Sequence, residues 1–358
     1  MKTDFKPGGR PALIGSLPMD DHPAALQLMS EYTPEIPLWI QLPGFAAEGM
    51  MAQFLPGMPA VAKDGEKTYI NTADENFDQA LLAFFEDYMA VTDGTLDISD
   101  SRFALTDETA PGFSEFLRYL DSRQEPPMAV KGQVTGPFTF ATGMVDDQGR
   151  AIFYDDQLRD AAVKLIAMKA RWQVSQLKKY GGPVIVFLDE PGLAGFGSSA
   201  FISVSREDVD QCLAEVISAI HAEGGLAGIH VCANSEWSIV LDSPADIASF
   251  DAYSFFDKFI LYADQVKKFI TDGGILAWGI VPTGDGETIA KESVSSLAEL
   301  WEDEVKKTEA LGLDRSTIFE KSLITPSCGT GSLSLPDATR VLELTRDLSE
   351  RIRAYMEG

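Results

Sequence analysis

The chain has 358 residues and the composition of an ordinary globular protein, 45% hydrophobic and 23% charged. With 55 acidic against 29 basic residues its formal net charge is -26, a surface that repels nucleic acid and anionic membranes and excludes both as expected partners. No apolar run nears the roughly 20 residues that span a bilayer, and residues 1–6 lack the apolar segment of a signal peptide, so a cytoplasmic location is expected.

Taken in chain order, amphipathic helices run repeatedly into glycine-bearing turns and then into short apolar strands. Leu158, Ala162, Leu165, Met168 and Trp172 fall at helical spacing. Tyr180-Gly181-Gly182-Pro183 stops that helix, and residues 184–188 read as a buried strand. The plan repeats with Val209, Cys212, Leu213, Val216 and Ile220, the break at Gly224-Gly225, and a strand over 226–231. It repeats again with Phe259, Tyr262, Val266 and Phe269, then Gly273-Gly274 and a strand over 275–280. Candidate strands number eight: 12–16, 37–41, 128–134, 184–188, 226–231, 247–253, 275–280 and 322–325. Alternation of this kind predicts an α/β fold with a parallel sheet, and eight units favour a single closed (β/α)8 TIM barrel over an open doubly wound sheet. The 85 or so residues between the second and third strands far exceed one crossover. They predict a helical insertion at 42–127 within one domain spanning 1–358, with helices near 77–91 and 111–120. Residues 50–55 read as a packed helix or, less simply, as a lid.

In such a barrel the C-terminal strand ends converge on one mouth. Those ends carry Gly15-Ser16, Gln41, Gln133 to Gly136, Asp189-Glu190, His230 with Cys232, Asp251 to Ser254, Pro282-Thr283, and Pro326-Ser327-Cys328. Side chains alternate along a strand, so His230 and Cys232 share a face. An imidazole and a thiol make half a zinc site. Alone, H-x-C more often serves packing or hydrogen bonding. Cys328 at another strand end supplies a third soft ligand and leaves a fourth position open, the pattern of a catalytic zinc. Cys212 lies on an apolar helix stripe and reads as core, His22 as a capping neighbour, and His221 as a cation suited to a helix end. Asp189 and Glu190 follow an apolar strand and are costly unless they face a polar cavity. Asp189 is therefore either a helix cap or a carboxylate for a cationic substrate group.

Taken together, Ile14-Gly15-Ser16-Leu17-Pro18, Gln133-Val134-Thr135-Gly136-Pro137, Asp189-Glu190-Pro191, His230-Val231-Cys232 and Thr325-Pro326-Ser327-Cys328-Gly329 resemble the catalytic barrel of cobalamin-independent methionine synthase. They also resemble the related uroporphyrinogen decarboxylase-like corrinoid methyltransferases. The resemblance implies zinc held by His230, Cys232 and Cys328, homocysteine bound through its thiol, its amino group on Asp189, and an amino-acid pocket lined by Ile14 and Ser16. Three departures matter. Where the family has a Glu ligand, spacing offers Asp251, the candidate for a fourth ligand. Where the folate-dependent enzyme has a histidine after its seventh strand, Gly279-Ile280-Val281-Pro282-Thr283 has none, and the expectation is of a barrel without that enzyme's long folate-binding N-terminal half. A methyl group leaving cobalt(I) needs no proton on the leaving atom, so the expected donor is a methylcorrinoid such as methylcobalamin, with a corrinoid carrier protein as a candidate partner.

The expected activity is thus zinc-dependent methyl transfer to a thiol, with homocysteine giving methionine. The alternatives are a methyltetrahydrofolate-dependent homocysteine methyltransferase, a coenzyme M methyltransferase, a metal-free uroporphyrinogen-decarboxylase-like enzyme, and a non-catalytic thiol- or corrinoid-binding protein. Coenzyme M and porphyrinogen substrates call for basic residues, and none stands at the predicted strand ends.

Overall fold

The computed structural model describes residues 2–357. Its strands are β1 (Arg10–Pro11), β2 (Val61–Asp64), β3 (Lys67–Ile70), β4 (Val130–Thr135), β5 (Val184–Asp189), β6 (Leu226–Val231), β7 (Ile247–Phe250), β8 (Ile275–Val281) and β9 (Ser322–Pro326). β2 and β3 pair as an antiparallel hairpin. The other seven form one curled parallel sheet in the order β1-β9-β8-β7-β6-β5-β4, with helices on its outer face. Nearly every residue of β4 to β9 is buried, which is why these strands read as unbroken apolar runs rather than as alternating ones. A small inner core that includes Ile14, Ile185, Phe187, Ile247, Ile275 and Leu323 fills the curl. A larger one lies between sheet and helices. Among the described residues no helix is long and apolar enough to cross a membrane.

Local chemistry sets the element ends. Asp155 accepts hydrogen bonds from the Gln157 and Leu158 amides and opens the helix Asp156–Leu177, while Ser205 accepts from Asp208 N–H and opens Arg206–Ala222. Gly224 and Gly273, at φ of 87° and 94°, turn the chain out of the helices that precede β6 and β8. A side chain at such an angle costs about 1–2 kcal/mol.

The closed eight-stranded barrel needs correction at one place. The second candidate strand, 37–41, is not a strand. It makes single parallel bridges, Leu38 to Lys131 on one side and Gln41 to Ser16 on the other. Pro37 and Pro43 bracket it, and each lacks the N–H that a ladder needs. The first strand falls outside the predicted 12–16: ladder pairing with β9 covers only Arg10–Pro11, after which Ala12 N–H still reaches Ile324 O and Ser16 makes a single bridge to Gln41. β7 stops at Phe250 because Asp251 already caps the helix Ala252–Phe259. In the 42–127 segment the helices Phe77–Thr92 and Pro111–Ser122 stand where the sequence placed them, and the β2–β3 hairpin is an addition. Residues 50–54 are turns rather than a helix. Gln53 and Phe54 are buried there, while Met50 is 44% exposed.

Candidate functional site

Register brings the predicted residues to one level. Thr135 pairs with Asp189, Asp189 with His230, and His230 with Ser249 across β4 to β7. Cys232 follows β6 by one residue, and Cys328 follows β9 by two. A cavity of about 300 Å³ opens at this end of the sheet, and Ile14, Ser16, Asp189, His230, Cys232 and Cys328 all line it. One ligand atom from each of His230, Cys232 and Cys328 lies within 4.8 Å of the other two. Zinc–sulfur bonds of about 2.3 Å in a tetrahedron put sulfurs about 3.8 Å apart, so only a small contraction would close the group on an ion.

The imidazole is prepared for that role. His230 Nδ1 and Ser249 Oγ are 2.9 Å apart, whereas Nε2 is buried without a partner. A ring that donates from Nδ1 keeps a lone pair on Nε2, the form a metal ligand needs. The adjoining Cys328 thiol, with the His230 ring close by, holds the Cys232 thiol far below its usual range, and Cys232 in turn pushes Cys328 up. The orphaned nitrogen and two adjoining sulfurs fit a soft divalent ion.

Asp251 does not join them. Its Oδ1 accepts the Ser254 N–H at 2.8 Å, and among the described residues the metal-competent group consists of His230, Cys232 and Cys328 alone. Spacing pointed to Asp251, but the helix beginning at Ala252 takes its carboxylate.

The acid pair divides in the opposite way to a simple capping reading. Glu190 is the cap: its carboxylate accepts from the amides of Phe138 and Thr139 at 2.9 and 2.8 Å and from the Thr139 hydroxyl at 2.5 Å, opening the helix Pro137–Gly143. Asp189 stays free. Its Oδ1 is buried without a partner, and burial lifts its pKa to about 6 against the pull of His230 and Lys131. An acceptor oxygen left bare in a cavity is a place for a ligand's N–H groups.

On the opposite wall Ser16 meets the loop that carries Cys328. The Gly331 N–H donates to Ser16 Oγ at 3.2 Å, and a Cβ on Gly329 would come within 2.3 Å of that oxygen. A larger residue there would turn the Ser16 hydroxyl out of its present place.

Several wall residues escaped the sequence reading. Glu48, from the segment after 37–41, lines the cavity, accepts from Leu42 N–H at 3.0 Å and lies 2.9 Å from His22 Nε2. Pro43 and Ser332 line it too, beside Gln41 of the predicted strand ends and Met50 of the 50–55 stretch. Lys131 is fully buried within the curl and donates to the Ile14 carbonyl, so a basic residue does stand close beneath the strand ends. It is not part of the cavity wall, which contains no Lys or Arg among the described residues. His221 pairs with Asp246 at 2.7 Å, and Cys212 is buried among apolar side chains, both away from the cavity.

No family model matches the chain, and no curated protein does. Among solved structures it is similar to a B12-independent methionine synthase from Shewanella sp. W3-18-1 in complex with selenomethionine, at 17% identity and TM-score 0.48, covering 68% of this chain and 67% of that one. It is also similar to a GH5-4 broad specificity endoglucanase from Clostridium longisporum, at 14% identity and TM-score 0.39, covering 70% and 78%. Likeness this distant carries nothing about activity.

Proposed function

We propose that this chain is a zinc-dependent S-methyltransferase that methylates an amino-acid thiol, homocysteine giving methionine, with a methylcorrinoid as donor. The observation that supports it is the meeting, in one cavity, of three soft donors with a carboxylate oxygen that has no partner. His230, Cys232 and Cys328 would hold the ion. An ion held there would supply Lewis acidity to an incoming thiol, whose ordinary pKa is about 8.5, so that its sulfur would be deprotonated yet still nucleophilic.

The protein's own groups do the rest. Asp189 accepts the acceptor's ammonium, and Ile14 and Ser16 form the wall beside it, so the sulfur reaches the donor set already oriented. The acceptor sulfur forms its bond to the methyl carbon as the carbon–cobalt bond breaks, and cobalt keeps the bonding pair, so no proton has to be delivered to the leaving atom. That suits a cavity in which the end of β8 offers no imidazole and Thr283 is engaged with the Ser327 hydroxyl at 2.9 Å. With no Lys or Arg in the wall, a sulfonate or a polycarboxylate finds no counter-charge.

Protein purified without chelator is expected to hold about one zinc per chain and to form methionine from methylcobalamin and L-homocysteine. Absence of zinc sinks the metal reading. Methionine formed only from methyltetrahydrofolate replaces the donor and keeps the acceptor.

A further inference from the structure

Lys131, the second residue of β4, is fully buried, yet no carboxylate lies within ion-pair distance of it among the described residues. Its Nζ donates to the Ile14 carbonyl at 2.5 Å and to Gln133 Oε1 at 3.4 Å, and sits 4.4 Å from the centre of the Phe187 ring. Dehydrating an ammonium costs several kcal/mol, and an alkyl side chain of similar length would fill the same space without that cost. Burial draws its pKa down to about 7, with Asp189 the one charge pulling it back.

The place of the contact explains what is gained. In a regular sheet the Ile14 carbonyl would meet the amide of a neighbouring strand. Gly15 and Leu17 face the irregular 37–41 segment, where Gln41 N–H goes to Gly15 O at 3.0 Å and the Gln41 carbonyl takes Leu17 N–H at 3.1 Å. Ile14, one residue out of step, faces the β9 side like Ala12 and Ser16, and among the described residues no backbone amide donates to its carbonyl there. Ile14 O is left over, and Lys131 takes it. The Lys131 backbone N–H meanwhile donates to Pro37 O at 2.9 Å. One residue therefore grips both sides of the break in the sheet, its backbone holding the irregular segment and its side chain holding the first strand.

We propose that Lys131 fastens this break and, by fixing Ile14, positions the Ile14–Ser16 wall that receives the polar end of the acceptor. The second clause rests on the amino-acid-thiol reading above; the first does not. Lys131 is a positioning residue. It touches neither the donor set nor the cavity.

The test uses zinc-loaded full-length protein and two variants, Lys131→Met, which removes donor and charge, and Lys131→Gln, which keeps an N–H donor. Hydrogen exchange is followed at the Leu17 and Gln41 amides, and affinities for L-homocysteine and 1-propanethiol are measured by calorimetry. In Lys131→Met both amides are expected to exchange about tenfold faster or more, and homocysteine to bind about tenfold more weakly, as loss of a charged donor implies. Propanethiol, which has no polar end, stays within about twofold, zinc content is unchanged, and Lys131→Gln falls between. Wild-type exchange in both variants overturns the fastening. An equal loss for both thiols overturns the positioning role. Should Lys131→Met fail to fold, Lys131→Gln carries the same comparison. Should wild type bind neither thiol, the acceptor reading falls, and the exchange data still decide the fastening.

Discussion

From β4 to β9 the sheet is a continuous ladder, shifted in register only between Gly279 and Val281: each strand pairs in parallel with the next, and alternate side chains arrive at the cavity without further help. At residues 13–17 and 37–42 the backbone joins its neighbours only through isolated bridges, and side chains fasten this seam: Lys131 to Ile14 O, Gln41 to Gln53, and Glu48 to Leu42 N–H. The regular arc supplies the donor set and Asp189, and the irregular seam supplies Ile14, Ser16, Gln41 and Glu48. A ladder places reactive atoms through backbone geometry that tolerates substitution elsewhere. A seam places its wall through single contacts, each of which can fail alone.

The sharpest separation comes from the cysteines. Cys232→Ser and Cys328→Ser each remove a soft ligand from the arc, and both are expected to lose the metal and to lower methyl transfer about 1,000-fold at unchanged fold. Cys212→Ser should keep metal and rate while losing about 1–3 kcal/mol of stability, because it buries a hydroxyl among apolar neighbours. Metal analysis beside urea unfolding reads both. Retained metal in either ligand variant would break the assignment of chemistry to the arc.

Gly15→Ala probes the seam. The added Cβ would stand 2.7 Å from Gln41 Oε1 and 3.1 Å from Gln133 Cδ, and Gln41 is tied to Gln53 and cannot swing aside freely. A loss of about 1–3 kcal/mol is expected, with weaker acceptor binding and full zinc content. Loss of zinc instead would show that seam and arc are not separable.

The smallest effect lies outside the arc. Glu304, on the helix Val294–Glu309, is 3% exposed, and its Oε2 has no partner. Burial raises its pKa from 4.5 to about 9. Between those values the unfolded chain binds fewer protons at this site than the fold does. Stability is therefore full below about pH 4.5, falls as pH rises, and levels off above about 9. Glu304→Gln should flatten that slope, a change of about 1.4 kcal/mol between pH 6 and 7, read from urea midpoints. An unchanged slope would place the pH dependence elsewhere.

The same contrast explains what could be read from sequence. β6 was legible to the residue because an apolar run ends in a glycine turn on one side and H-x-C on the other, and period two fixes the shared face. Cys328 followed from its strand end. Pro37 and Pro43 carried the warning against a regular second strand, but the apolar Leu38-Trp39-Ile40 between them outweighed it. Those side chains are buried, so they do pack as a strand would; what is missing is the ladder. Lys131 gave no signal, since its partner is a backbone carbonyl 117 positions away. Asp189 and Glu190 were visible as a pair, but which of them caps a helix depends on where the Phe138 and Thr139 amides lie, some 50 residues earlier in the chain.

One contact joins the two halves. The Ser16 carbonyl accepts from both the N–H and the hydroxyl of Thr330, at 3.1 and 3.0 Å, two residues beyond Cys328. Two ligands whose sites share a loop are bound by reciprocity: whatever factor metal loading adds to acceptor affinity, the acceptor adds to metal retention. Saturating acceptor would then slow removal of the ion by a chelator, and metal-free protein would take up the acceptor poorly even with Asp189 and Ser16 intact.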